Sequence, residues 1–203
     1  YSYDLHQYSR FGMATSCDPQ LIMSPKNVAN YLYKKKSINR YSPLSMIVWL
    51  YKFSKDAKKN ILKVKSKNYK KNKSIFLRIY IDTIIQSAIG KFFTYKFKSS
   101  ILWEYYLLTK CKKVGNKALS NYIKAKSSWE EAAVISKKYY LPDLSYGPQS
   151  WLRGRWDDRL PAIVEDINYM KKSLLQNTKI AKPLQKNIKM ISLIENWNVD
   201  QNI

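Results

Sequence analysis

The chain has 203 residues, 45% of them hydrophobic, and a formal net charge of +23 at pH 7 from 37 Lys and Arg against 14 Asp and Glu. That length and apolar content suit one folded domain with extensions and exclude a wholly disordered chain. The charge calls for a polyanionic partner, and RNA, DNA and anionic lipid each satisfy it through counterion release.

The charge is unevenly placed, with 25 basic and 5 acidic residues in 1–125 but 12 and 9 in 126–203. Residues 1–41 read as an irregular basic arm: no hydrophobic period is sustained, and Gly12, Pro19 and Pro25 punctuate it. Lys34, Lys35, Lys36 and Arg40 are its candidate RNA contacts, the alternative being an ordinary solvated loop. The chain opens at Tyr1, not Met, which suggests a processed or trimmed product.

Residues 42–175 form the predicted α/β domain. Ser42 as cap and Pro43 at the first helical position start a helix carrying Leu44, Ile47, Val48, Leu50 and Tyr51. From Ser54 to Lys73 the chain holds nine lysines and one acid, and reads as a basic insertion in which Ile61, Leu62 and Val64 could make a short strand. Lys63, Lys65, Lys67, Lys70, Lys71 and Lys73 are candidate RNA contacts there, because like charges so close together are relieved by a polyanion.

Ile75 to Ile89 suits either a strand pair or a buried helix, and Gly90 is expected to end it. Phe93, Tyr95 and Phe97 alternate with Thr94, Lys96 and Lys98, the period of a half-buried strand. A helix capped by Ser99 or Ser100 then runs to Cys111, with Lys110, Lys112 and Lys113 placed to suit its dipole and Gly115 as a stop. Ala118 to Ala125 reads as a strand, Ser127 or Ser128 caps a helix through Trp129 and Ile135, and Tyr139-Tyr140-Leu141 makes another strand. Strand, helix and strand in that rhythm predict a parallel sheet flanked by helices. Leu160 to Leu175 is an amphipathic helix with Pro161 in its first turn, and 176–203 is a basic C-terminal extension ending in a strand or helix from Ile188.

Between the last expected strand and that helix lies a turn containing Trp151, Arg153, Gly154, Arg155, Trp156 and Arg159. Three of the chain's 6 arginines fall here, beside 31 lysines elsewhere in the sequence, and arginine's planar fork binds phosphate at two points as lysine cannot. Arg153, Arg155 and Arg159 are therefore candidate RNA contacts, with Trp151 as a core anchor. The competing reading pairs the arginines with Asp157, Asp158 and Glu165.

Catalytic chemistry finds no support. Neither a GxxxxGK[ST] nor a GxGxxG loop occurs, and His6 is the one histidine available for a triad or a metal site. Cys17 and Cys111 stand far apart, which argues against a disulfide scaffold and for a reducing compartment. No apolar run reaches membrane-spanning length, since Arg78, Asp82 and Lys91 interrupt the best window. No enzyme activity, metal or cofactor is expected.

The turn also carries a resemblance. Trp151-Leu152-Arg153-Gly154 before a basic amphipathic helix resembles the Trp-Leu-Gly-Gly signature of the ribosomal protein S2 family, with Arg153 in place of the first glycine. Ala125 to Ala133 is similar to the family's Gly-Thr-Lys strand end and the helix after it. Phe11-Gly12, Thr15, Asp18-Pro19, Met23 and Pro25 follow the order of the family's opening motifs, and Tyr31-Leu32-Tyr33 with Lys34 to Lys36 looks like its strand and basic flank. The family's C-terminal half has no counterpart after Leu175.

The resemblance implies an α/β protein bound to small-subunit rRNA and to neighbouring ribosomal proteins, without catalysis or a small-molecule substrate. The abundance of Lys, Asn, Tyr and Ile suits an AT-rich organellar genome, so the expected place is a ribosome of the mitochondrial matrix. The alternative is a basic accessory subunit of a mitochondrial respiratory membrane complex, which would also account for the aromatic content and the missing catalytic motifs.

Overall fold

The computed structural model describes residues 22–38, 41–65, 72–145, 153–176 and 185–197. They form helices α1 (Pro25–Lys34), α2 (Pro43–Lys65), α3 (Lys73–Thr109), α4 (Lys112–Tyr139), α5 (Leu160–Gln176) and α6 (Gln185–Glu195). Between α4 and α5 come β1 (Leu144–Ser145), paired antiparallel with β2 (Arg153–Gly154), and a 3₁₀ turn, Trp156–Arg159. Apart from that two-residue pair the regular structure of the described residues is helical, so the fold is all-helical in class and the expected parallel sheet is not formed among them.

α3 explains the difference. At 37 residues it is about 55 Å long, and α1, α2 and α4 all pack on it. A helix covered on several sides is apolar nearly all round and loses the one-faced pattern by which a helix is usually read. The short alternation at Phe92 to Phe97 therefore mimics a strand. Thr94 and Lys96, which a strand would turn to solvent, are buried with Phe92 and Phe97. The Thr94 hydroxyl donates to the Gly90 carbonyl at 2.9 Å, the i to i−4 bond that a helix offers. Ser99 and Ser100, expected to cap a new helix, lie inside this one.

α4 corrects three more expectations, because Ala118 to Ala125 is helical, Ser127 and Ser128 are interior, and Tyr139 ends the helix instead of opening a strand. The buried Ala118, Tyr122, Ala125, Trp129, Ala132 and Ser136 recur at helical spacing and turn a stripe of mostly small residues toward α3. Small side chains let the helices approach closely, and the Ser99 hydroxyl reaches the Ala118 carbonyl at 2.9 Å. Gly90, expected to end the Ile75–Ile89 strand pair or helix, and Gly115, expected to stop a helix, sit inside α3 and α4. A Cβ on Gly90 would meet the Ser54 side chain of α2, and one on Gly115 would meet Tyr106 and Leu174.

The shorter helices follow local rules. In α1 the Ser24 hydroxyl accepts from the Asn27 amide at 3.2 Å and Pro25 takes the first position, so Tyr31-Leu32-Tyr33 is helix where a strand was expected. α2 starts at Pro43 and runs through Ile61, Leu62 and Val64 to Lys65, so no strand interrupts it. Leu160–Gln176 forms the amphipathic helix that its sequence predicts, burying Ile163, Ile167, Met170 and Leu174. Val28 and Ala29 of α1 and Ile194 of α6 join the same buried cluster as Phe92, Tyr105, Tyr122 and Trp129.

One cation lies inside that cluster. Lys96 is 1% exposed, with its ammonium 4.8 Å from the Phe92 ring centre and 5.9 Å from that of Tyr122. The Tyr122 hydroxyl donates to the buried carboxylate of Asp166 on α5. Burial holds the Lys96 ammonium well below its usual range, and Asp166 opposes that shift.

Candidate nucleic-acid interface

The bundle gathers lysines that are distant in sequence. Tyr33 near the end of α1 packs edge-on against Tyr105 of α3 at 6.1 Å, and the Tyr105 hydroxyl stands 3.5 Å from Asn187 Oδ1 of α6. Lys186 donates to the Tyr33 carbonyl at 3.0 Å, with its ammonium 4.7 Å from the Tyr33 ring centre. Tyr105 is also one turn from the α3–α4 corner. One end of the bundle therefore carries Lys34, Lys35 and Lys36 at the end of α1, Lys110, Lys112 and Lys113 at the corner, and Lys186 on α6.

All seven are exposed, and none forms an ion pair among the described residues. Burial, with Tyr33 and Cys111 adding to it, pushes the Tyr105 hydroxyl above its usual range. Both helix ends in this surface close on a lysine in the left-handed region, Lys35 at φ 56° and Lys110 at φ 53°. Glycine is the residue that this conformation favours. Lysine there sets a cation against the carbonyl end of the helix and holds the next residues out toward solvent.

The other predicted contacts lie elsewhere. Ile47 and Val48 share a cleft with Thr94 and Lys98, whereas Ser54 and Ala57 share one with Asp82, Thr83 and Gly90, so α2 and α3 run antiparallel, and Lys63 and Lys73 fall at the far end of α3 from Lys110. They belong to a helical hairpin that also exposes Leu62, Ile75, Leu77 and Ile79 beside Arg78. Lys65 ends α2, whereas Lys67, Lys70, Lys71 and Arg40 lie outside the described residues.

Trp151 also lies outside them. The arginines after it are not arranged as one cluster of forks. Arg153 is engaged by Asp143 at 2.6 to 3.0 Å through two of its nitrogens. That hydrogen bond holds the Asp143 carboxyl below its usual range and raises the Arg153 guanidinium. Arg155 is exposed, and its backbone amide donates to Asp158 at 2.6 Å. Arg159 is half-buried in the 3₁₀ turn. Trp156 anchors this turn instead, its ring 5.2 Å from that of Trp129 and its carbonyl accepting the Trp129 indole N–H at 2.7 Å.

Lys110, Lys112, Lys113 and Lys186 were not among the sequence candidates. The first three were assigned to a helix dipole, and only the convergence of α1, α3 and α6 brings them beside Lys34 to Lys36. The described residues hold no group of three or more His, Cys, Asp or Glu able to bind a metal ion, and no described helix is long and apolar enough to cross a membrane. No protein-family model, curated protein or solved structure matches the chain.

Proposed function

We propose that this is a non-catalytic RNA-binding protein whose basic bundle end seats on the phosphate backbone of a structured RNA. The small-subunit rRNA of an organellar ribosome is the partner that the sequence resemblance suggests. The observation carrying the reading is the convergence of seven exposed lysines from α1, the α3–α4 corner and α6, none ion-paired among the described residues. Such a surface repels itself until counterions or a polyanion neutralise it. The particle rests on composition and local motif likeness alone.

The test is the salt dependence of binding to a structured RNA, followed by fluorescence anisotropy. Lys112→Glu with Lys113→Glu removes two phosphate contacts and should lower the slope of log affinity against log salt by about two units. Lys55→Glu with Lys59→Glu on α2, the same charge change at exposed lysines roughly 30 Å along α3 from this end, should lower it much less. Equal losses from the two double variants would show that net charge acts without a seat.

A second reading has one observation behind it. The first turns of α3 expose Ile75 at 58% and Ile79 at 53%, one turn apart on the same face, and grouped apolar exposure of that kind marks surfaces buried in an assembly. An accessory subunit of a membrane complex would bury them against larger subunits. Fractionation distinguishes the two: an RNA-binding component leaves detergent-treated organelles with ribosomal subunits, whereas a respiratory subunit stays with the membrane complex.

A further inference from the structure

A second feature stands apart from the basic end and does not rest on the RNA reading. Where α2, α3 and α4 meet the end of α6 there is a cleft of about 390 Å³, within the size range of small-ligand sites, roughly 300–1,000 Å³. Lys52, Lys98 and Lys124 line it, one from each of the three long helices, and the rings of Tyr51, Tyr95 and Trp197 form much of the rest. Glu195 is its one acidic lining residue.

That carboxylate is already engaged. Asn121 Nδ2 donates to Glu195 Oε1 at 2.7 Å, and Glu195 Oε2 stands 4.0 Å from Lys98 and 3.7 Å from Lys117. Lys98 also donates to the Glu195 carbonyl at 2.9 Å. Lys52 and Lys124 have no carboxylate partner among the described residues, and the Lys124 ammonium lies 5.7 Å from the Tyr95 ring centre. Four lysines thus face one carboxylate. The Lys98 ammonium reflects the excess: burial lowers it, Glu195 opposes this, and repulsion from Lys124 and Lys117 lowers it further.

Trp197 adds an aromatic side chain to a lining that already holds Tyr51 and Tyr95. The cleft combines surplus positive charge with aromatic side chains. Phosphate answers the first and a flat π-system the second.

We propose that this cleft binds a nucleoside phosphate, with the phosphate held by Lys52, Lys98 and Lys124 and the base lying against Tyr51 and Trp197. The ligand is either a free mononucleotide or one unpaired nucleotide of an RNA strand. No nucleotide-binding motif announces the site, because its cations come from three helices and not from one glycine-rich loop.

The experiment is titration calorimetry on the full chain with AMP, UMP, adenosine and inorganic phosphate, repeated on Lys124→Glu and Trp197→Phe. Lys124 is exposed and Trp197→Phe keeps an aromatic ring, so both variants should retain the wild-type melting temperature. A nucleotide should bind at least tenfold more tightly than adenosine or phosphate alone. Lys124→Glu should weaken it tenfold or more, and Trp197→Phe severalfold. Competition between AMP and a single-stranded oligonucleotide would assign the site to a strand, whereas AMP binding without competition would assign it to a free nucleotide. AMP binding by a chain that fails to bind structured RNA would leave this cleft standing and remove the RNA reading. Nucleotide affinity no better than that of phosphate, or unchanged in both variants, would overturn the proposal.

Discussion

Gly115 of α4 stands so close to the Tyr106 ring of α3 that a methyl group at position 115 would come within 3.0 Å of Tyr106 Cδ2 and 2.5 Å of Leu174 Cδ2. Both neighbours are buried, so neither can swing into solvent. The glycine lets three helices, α3, α4 and α5, share one contact. Overpacking costs about 1–3 kcal/mol, and alanine recovers roughly 1 kcal/mol over glycine in a helix interior, so Gly115→Ala should destabilise the protein by up to about 2 kcal/mol net. Urea denaturation checks it, and a more stable alanine variant would show that the helices can slide apart freely.

A sequence reader takes Gly115 for a helix stop, and the error has the same physical root as the expected sheet. Glycine punctuates a chain when the backbone must turn left-handed, but it also marks the place where two helices nearly touch. Only the second applies here, since Gly115 continues α4. Phe92 to Phe97 likewise alternates like a strand because α3 is covered on more than one side. Leu160 to Leu175 was legible for the opposite reason: α5 buries one face only. At the candidate interface Lys34 to Lys36 could be seen as a run, whereas Lys186 could not be joined to them until Tyr33 and Tyr105 brought their helices together.

The left-handed lysines allow stability and binding to be separated. A non-glycine residue in that region costs about 1–2 kcal/mol, partly offset in a glycine variant by the roughly 0.5–1 kcal/mol of extra chain entropy lost on folding. Lys35→Gly and Lys110→Gly should each raise the melting temperature while weakening RNA binding, with the salt slope falling by about one unit per lysine. Thermal unfolding beside anisotropy titration measures both. Variants that gain stability and keep the wild-type salt slope would remove these two lysines from the interface.

Lys96 gives the protein a pH dependence whose sign can be worked out. Its folded-state pKa is depressed below the ordinary 10.5, so between the two values the unfolded chain binds the extra proton. Stability contributed through Lys96 therefore rises with pH across that window and is lost as pH falls through the folded value. Tyr140 acts in the opposite sense at higher pH. Burial and its hydrogen bond to Asp82 push its hydroxyl from 10.0 to about 12, so its stabilisation is complete below pH 10 and disappears as pH rises through 12. Lys96→Met should flatten the rise that lies below pH 10.5 and leave the fold as stable or more so, as exchanging a buried ionisable group for an apolar side chain of similar volume often does. Chemical denaturation at pH 7, 8.5 and 9.5 is the measurement, and an unchanged slope in the methionine variant would assign the rise to other groups.

The final prediction concerns Arg153, whose guanidinium has the geometry to bind phosphate and spends it on Asp143. Both side chains are exposed, at 54% and 60%, so water and salt compete for the pair and its loss should leave folding intact. Asp143→Asn removes the charge that holds the fork while keeping the side chain's shape. If Arg153 belongs to the RNA-contacting surface, this variant should bind RNA more tightly and with a steeper salt slope, because a two-point donor has become available to phosphate. Arg153→Lys in the Asp143→Asn background should forfeit part of the gain, since lysine retains the charge without the planar fork. If Arg153 has a structural role only, fixing β2 to the segment before β1, Asp143→Asn would lower the melting temperature and leave the binding isotherm where it was. Anisotropy titrations of the wild type and both variants at two salt concentrations, beside their melting curves, separate the two roles.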